Sequence, residues 1–232
     1  DDVASGRFNA PLQVFLVAWS LTDQQREGLR KNRVPGTTRV WCHAPGYLRP
    51  TGYSVDGIQE VTGFSVKPAQ LDKAAATPTA DGKALLGLSR AWGVTTNICP
   101  LFSILAAPGD RILATFPDGS PALVLRETRE GKDVFLSVPA LTSELIHGLA
   151  KISGVHLYTE TDAAGVWAHQ DLASIHVLTN SSTLKVSWPQ PGITHDLYNG
   201  KQYGPGQTFE LPARQGETLL LQHRPLRDTT AH

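Results

Sequence analysis

Cys42 and His43 stand side by side at the end of an apolar stretch, and a Cys–His pair is the raw material of a nucleophilic hydrolase. Adjacent residues of a regular strand point to opposite faces, so these two are not expected to pair with each other. No glycine flanks Cys42 to make a nucleophile elbow, and burial is the common fate of a free cysteine. Cys42 is therefore expected to be structural. The eight histidines are scattered with no i, i+4 pair, so no metal site is expected. Asp56 and Glu60 lie four apart on a predicted short helix, where carboxylates are ordinarily just solvated. No glycine-rich loop of the dinucleotide or P-loop type follows the first strand, which argues against a nucleotide cofactor. No catalytic residue, metal or cofactor is assigned.

A second constellation is aromatic. Trp19, Trp41, Tyr47 and Tyr53 lie at or just after predicted strand ends, and Pro45-Gly46 fixes a tight backbone path among them. Trp19, Pro45, Gly46, Tyr47 and Tyr53 are the candidate rim residues. Large aromatics at such an edge either stack on a sugar or anchor another protein surface, and the interface reading is preferred. Trp188, Tyr198 and Tyr203 raise a carbohydrate-binding alternative, although core packing is the expected role. Asn180-Ser181-Ser182 fits the N-glycosylation pattern.

These residues are carried by a recognisable pattern. Leu12 to Trp19 is a nearly continuous apolar run, as in a strand buried on both faces. Thr22 and Gln25 make a capping box for a helix running to about Asn32, with Asp23 in its first turn. Pro35-Gly36 ends it, and Thr37 to His43 is a second strand. This βαβ unit implies a parallel pair with a right-handed crossover. Ligands in open α/β sheets sit at the carboxyl ends of the strands, where the candidate rim lies. A short helix over 54–63 and a strand over 64–66 follow. Residues 67–95 read as a surface excursion with little regular structure.

Arg111 to Phe116 and Pro121 to Glu127 flank Asp118-Gly119 as a β-hairpin. Asp133 to Val138 is another strand. Leu145, Ile146, Leu149 and Ile152 give the next helix its core face, and Val155 to Tyr158 resumes as a strand. From about Asp162, roughly six short strands without helices predict a small all-β sandwich. The expected division is an α/β domain over 1–160, a β-sandwich over 161–224 and a disordered tail over 225–232.

Composition narrows the function classes. The 232 residues carry 21 Lys+Arg against 21 Asp+Glu, and this zero formal charge argues against a nucleic-acid partner. No apolar run approaches the ~18–20 residues of a membrane span. Two cysteines exclude a disulfide scaffold. The chain has no methionine and starts Asp1-Asp2 without a signal-peptide pattern, so a soluble piece of something larger is expected, its compartment unknown.

The segments VFLVAWSLTDQQREGLRKN, TTRVWCHAPGYL and GIQEVTGFSV resemble the flavodoxin-like domain that follows the catalytic barrel in family 42 β-galactosidases. SVPALTSELIHGLAKISGVHLYTE is similar to the exit from that domain. LYNGKQYG with FELPARQGETLLLQHR is similar to the small C-terminal β-domain. The resemblance covers residues 8–224 and rests on structural motifs. It implies a flavodoxin-like (class I amidotransferase-like) α/β fold, with a mostly parallel sheet flanked by helices, then the β-domain. It also implies a partner: the (β/α)8 barrel of a parent chain, carrying the carboxylate pair that glycosidases use. Homo-oligomerisation, shaping of access to an active site and contact with carbohydrate follow from the same resemblance. The alternatives are a stand-alone amidotransferase-like hydrolase using Cys42 and a free carbohydrate-binding module.

Overall fold

The opening βαβ unit forms from strand β1 (Leu12–Phe15), helix α1 (Asp23–Lys31) and strand β2 (Thr37–Cys42). A computed structural model of the chain describes residues 2–160, 163–179 and 183–226. Thr22 and Gln25 close the expected capping box, with Gln25 N–H donating to Thr22 Oγ1 at 3.2 Å and Thr22 N–H to Gln25 Oε1 at 2.8 Å. The apolar run is not buried on both faces, however. β1 is an edge strand, so Val14 is 39% exposed, and beyond it Leu16 and Val17 are 56% and 83% exposed.

The chain then forms β3 (Leu48–Arg49), β4 (Gly52–Tyr53), α2 (Val55–Thr62), β5 (Ser65–Pro68), β6 (Ala75–Pro78), α3 (Ala80–Leu86) and β7 (Trp92–Gly93). β8 (Phe102–Leu105), β9 (Arg111–Thr115), β10 (Pro121–Thr128), β11 (Gly131–Leu136) and α4 (Ser143–Ile152) complete the first of two compact units, Asp1–Val155. Its seven-stranded sheet has the order β1-β2-β11-β10-β9-β6-β7. Only β1–β2 and β2–β11 pair parallel; the remaining neighbours are antiparallel. The sheet is thus mixed, where a mostly parallel one was expected. The cause is β5, which follows α2 but pairs with β8 in a separate two-stranded ribbon. The place beside β2 is taken by β11, which belongs to a hairpin meander.

Alternation along the central strands decides the layers. Val40, Cys42, Leu123, Leu125, Val134 and Leu136 face a cluster with Leu86 of α3 and Leu145 and Leu149 of α4. Trp41, Val124 and Phe135 face the other way, onto Leu29 of α1 and Ile58 of α2. Each fully buried side chain of this size contributes about 1.5–3 kcal/mol. Residues 67–95 are no surface excursion: Ala74, Ala76, Leu86, Leu88 and Trp92 are core residues. Thr79 caps α3 by accepting from Gly82 N–H at 3.1 Å, and Gly87 ends it at φ +69°.

The second unit, His156–His232, contains β12 (Ala164–His169), β13 (Leu172–Val177), β14 (Thr183–Asp196), β15 (Gln202–Pro212) and β16 (Thr218–Pro225). These form one antiparallel sheet in the order β12-β13-β16-β14-β15, in place of the two packed sheets of a sandwich. The expected strands over 183–188 and 195–198 are largely one strand, β14, whose register breaks between Ser187 and Gly192. Its first half pairs with β15 and its second half with both β15 and β16. Ile175, Val177, Val186, Trp188, Leu211 and Leu221 build the core. Residues 155–158 form no strand. Of the tail expected to be disordered, Pro225 ends β16 and Leu226 N–H donates to Pro191 O at 3.1 Å; residues 227–232 lie outside the described residues. Asn180-Ser181-Ser182 also lies outside them.

Candidate functional site

The carboxyl ends of β1 and β2 are knitted together by backbone bonds. Gly46 N–H donates to Ala18 O at 2.7 Å and Leu48 N–H to Trp19 O at 2.9 Å, while Ser20 and Leu48 form a parallel bridge. Gly46, at φ +74°, lets this loop press on α2. A Cβ there would lie 2.6 Å from Gly57 O and 2.6 Å from Val61 Cγ2. Pro45 and Gly46 are accordingly buried beneath the rim, where they support it.

The rim aromatics form a chain of ring contacts. Exposed Tyr53 stacks on Tyr47 at 5.2 Å, and Tyr47 meets the edge of buried Phe102 at 5.1 Å. Phe102 lies 6.4 Å from His43, which lies 5.1 Å from half-buried Trp19. The structure therefore joins Trp19, Tyr47 and Tyr53 through two residues that sequence reasoning left out of the rim, His43 and Phe102. Trp41 does not belong with them. It is 1% exposed, stacks on Phe15 at 4.3 Å and donates its indole N–H to Asp133 at 3.3 Å.

His43 is the unusual member. It leaves β2 at φ +65°, a left-handed conformation that costs a non-glycine residue about 1–2 kcal/mol. Such outliers cluster at functional sites. Its Nε2 donates to Pro100 O at 2.7 Å, since a carbonyl only accepts, which leaves Nδ1 as the lone-pair nitrogen. Nδ1 has no partner among the described residues. Burial pushes the imidazole pKa down, against a smaller raising effect of the Pro100 bond.

His43 helps line a cleft of about 440 Å³ with Leu16, Trp19, Cys42, Leu136 and Pro139. Because the strand ends at Cys42, the two neighbours line the same cleft, contrary to the opposite faces of a regular strand. Burial pushes the Cys42 thiol up to about 12, however, so it stays protonated and a poor nucleophile at neutral pH. Of the predicted carboxylate pair, Glu60 is ion-paired with Arg49 on the surface. Among the described residues no group of three or more His, Cys, Asp or Glu is placed to hold a metal, and no helix is long and apolar enough to cross a membrane. In the second unit Trp188 is 1% exposed and stacked on His223 at 4.5 Å, a core residue with no face for a sugar. Tyr203 is half-buried, and Tyr198, expected in the core, is 69% exposed because it lies in the turn after β14.

No protein-family profile and no curated protein matches this chain. Solved structures do match. The β-galactosidase from Bacillus circulans sp. alkalophilus superposes with a TM-score of 0.61 at 16% identity, over 92% of this chain and 32% of that one. Gan42B, a GH42 β-galactosidase from G. stearothermophilus, gives 0.58 at 12% identity, over 95% and 33%. The β-galactosidase from the Antarctic haloarchaeon Halorubrum lacusprofundi gives 0.54 at 14%, over 88% and 31%. At these identities the likeness is one of fold. The chain spans about a third of the length of each of these enzymes, and both of its units share the fold of that third.

Proposed function

We propose that this chain is a non-catalytic accessory region of a β-galactosidase-like glycoside hydrolase, flavodoxin-like in its α/β unit. In this reading its aromatic rim packs against another subunit or the parent's barrel and shapes access to an active site carried there. The observation that carries the proposal is the extent of the match. Between 88% and 95% of this chain corresponds to one third of each of three β-galactosidases. The rim supports a contact role because its aromatics are held by backbone bonds and ring packing. The Cys42 hydrolase alternative is disfavoured by the protonated thiol, and the binding-module alternative by the burial of Trp188.

Incubating the purified chain with nitrophenyl β-galactoside tests this directly. The expected result is no turnover above buffer. Turnover abolished by replacing a single Asp or Glu of this chain would overturn the proposal.

A further inference from the structure

A polar row crosses the sheet beneath α1 and α2. Gln13 on β1, Arg39 on β2, Asp133 on β11 and Arg126 on β10 are register partners from strand to strand. Their side chains therefore share one face. The first three are 6%, 4% and 6% exposed. Burying charge at such a place is costly unless each charge is paired.

The pairing leaves one cation over. Arg33 binds Asp133 at 2.6 Å, and Arg126 takes both oxygens of Asp110 at 2.7 and 2.8 Å. Both buried carboxylates are thereby used. Arg39 is left with neutral acceptors, Leu29 O at 2.7 Å and Gln13 Oε1 at 3.3 Å. Its Nη2 has no partner among the described residues, nor has it an ion pair there. Burial and the charge of Arg33 lower its pKa, while Asp133 and Glu130 oppose them. A guanidinium nonetheless stays charged in a protein.

Arg39 lines a pocket of about 270 Å³ whose walls also carry Arg30, Arg33 and Arg126. Glu60, Glu130 and Asp133 line it as well. Of these, Asp133 is bound to Arg33, Glu60 to Arg49, and Glu130 is an exposed side chain 3.9 Å from Arg33 Nε.

We infer that this pocket between α1 and α2 binds a small oxyanion, a phosphate or carboxylate group. Arg39 supplies the uncompensated buried charge, and Arg30, with its exposed side chain, supplies donors from the surface. Guanidinium forks match the oxygens of both anion types, which explains why arginines converge there in place of lysines. The volume suits a single phosphate or a short dicarboxylate and falls below the ~300–1,000 Å³ of drug-sized ligand sites. Arg30, whose side chain is 73% exposed, would exchange its surface pair with Glu27 for an arriving anion.

The test is calorimetric titration of the full chain with inorganic phosphate and, separately, malonate, with thermal unfolding in each salt against chloride at equal ionic strength. The expected result is saturable binding of at least one anion. At ten times its Kd the folded-to-unfolded ratio rises about elevenfold over chloride. Arg30→Ala, on the surface, is expected to fold normally and weaken binding at least about threefold. Arg39→Met should abolish both the heat and the salt-specific stabilisation, while in chloride it unfolds no earlier than the parent, as expected when an unpaired buried charge is removed. Binding of phosphate alone or malonate alone supports the site and identifies its ligand geometry. Absence of heat with unfolding identical to chloride would overturn it, as would binding that both substitutions leave unchanged.

Discussion

At Gly46 the backbone turns with φ +74° while α2 closes on its Cα, so the position excludes a side chain on two counts. Gly46→Ala is expected to destabilise the first unit by more than about 1 kcal/mol, read as a lower urea midpoint at unchanged slope. An unchanged midpoint would show that the loop does not depend on its contact with α2. His43 makes a pH prediction. Its folded pKa is depressed by burial, so the neutral imidazole contributes stability above the unfolded value of about 6.5. That contribution is lost as pH falls through 6.5 toward the folded pKa. His223, also depressed by burial, acts in the same sense in the second unit. His43→Asn, which tolerates the left-handed conformation and does not titrate, should lose less Tm between about pH 7.5 and about pH 5.5 than the parent. An identical loss would mean that protonating His43 does not strain the fold.

Among the elements, α1 was legible down to its cap because capping chemistry is local: Thr22, Asp23 and Gln25 act within one turn. Thr22→Ala should cost about 1 kcal/mol, and no change in thermal unfolding would remove the capping box from the account. The mixed sheet was not legible. Partner choice between β2 and β11 joins segments some 90 residues apart in the chain, and no periodicity encodes it. The region of α3 carries no apolar periodicity in the sequence, because the segment before the helix fills its core positions with small residues such as Ala74 and Ala76. At the rim, Trp19, Tyr47 and Tyr53 were found because aromatics at strand ends stand out. His43 and Phe102 were not, since one depends on a backbone outlier and the other on a distant strand. The rim carries its own prediction. Trp19→Ala with Tyr47→Ala should weaken self-association, or docking to a parent barrel, with the far-UV spectrum unchanged. Unaltered sedimentation and unaltered parent kinetics would reduce the rim to surface.

At the scale of the whole molecule, the proposed role makes this chain one part of a larger glycoside hydrolase. Its two units each have their own core. The fold likeness spans both units and covers about a third of each β-galactosidase. The most direct measurement is the intact mass of the natural gene product, read together with the reading frame around this segment. The expected result is a polypeptide about three times the length of this chain, with a (β/α)8 barrel ahead of it. A natural product consisting of this chain alone, translated from its own start, would contradict it.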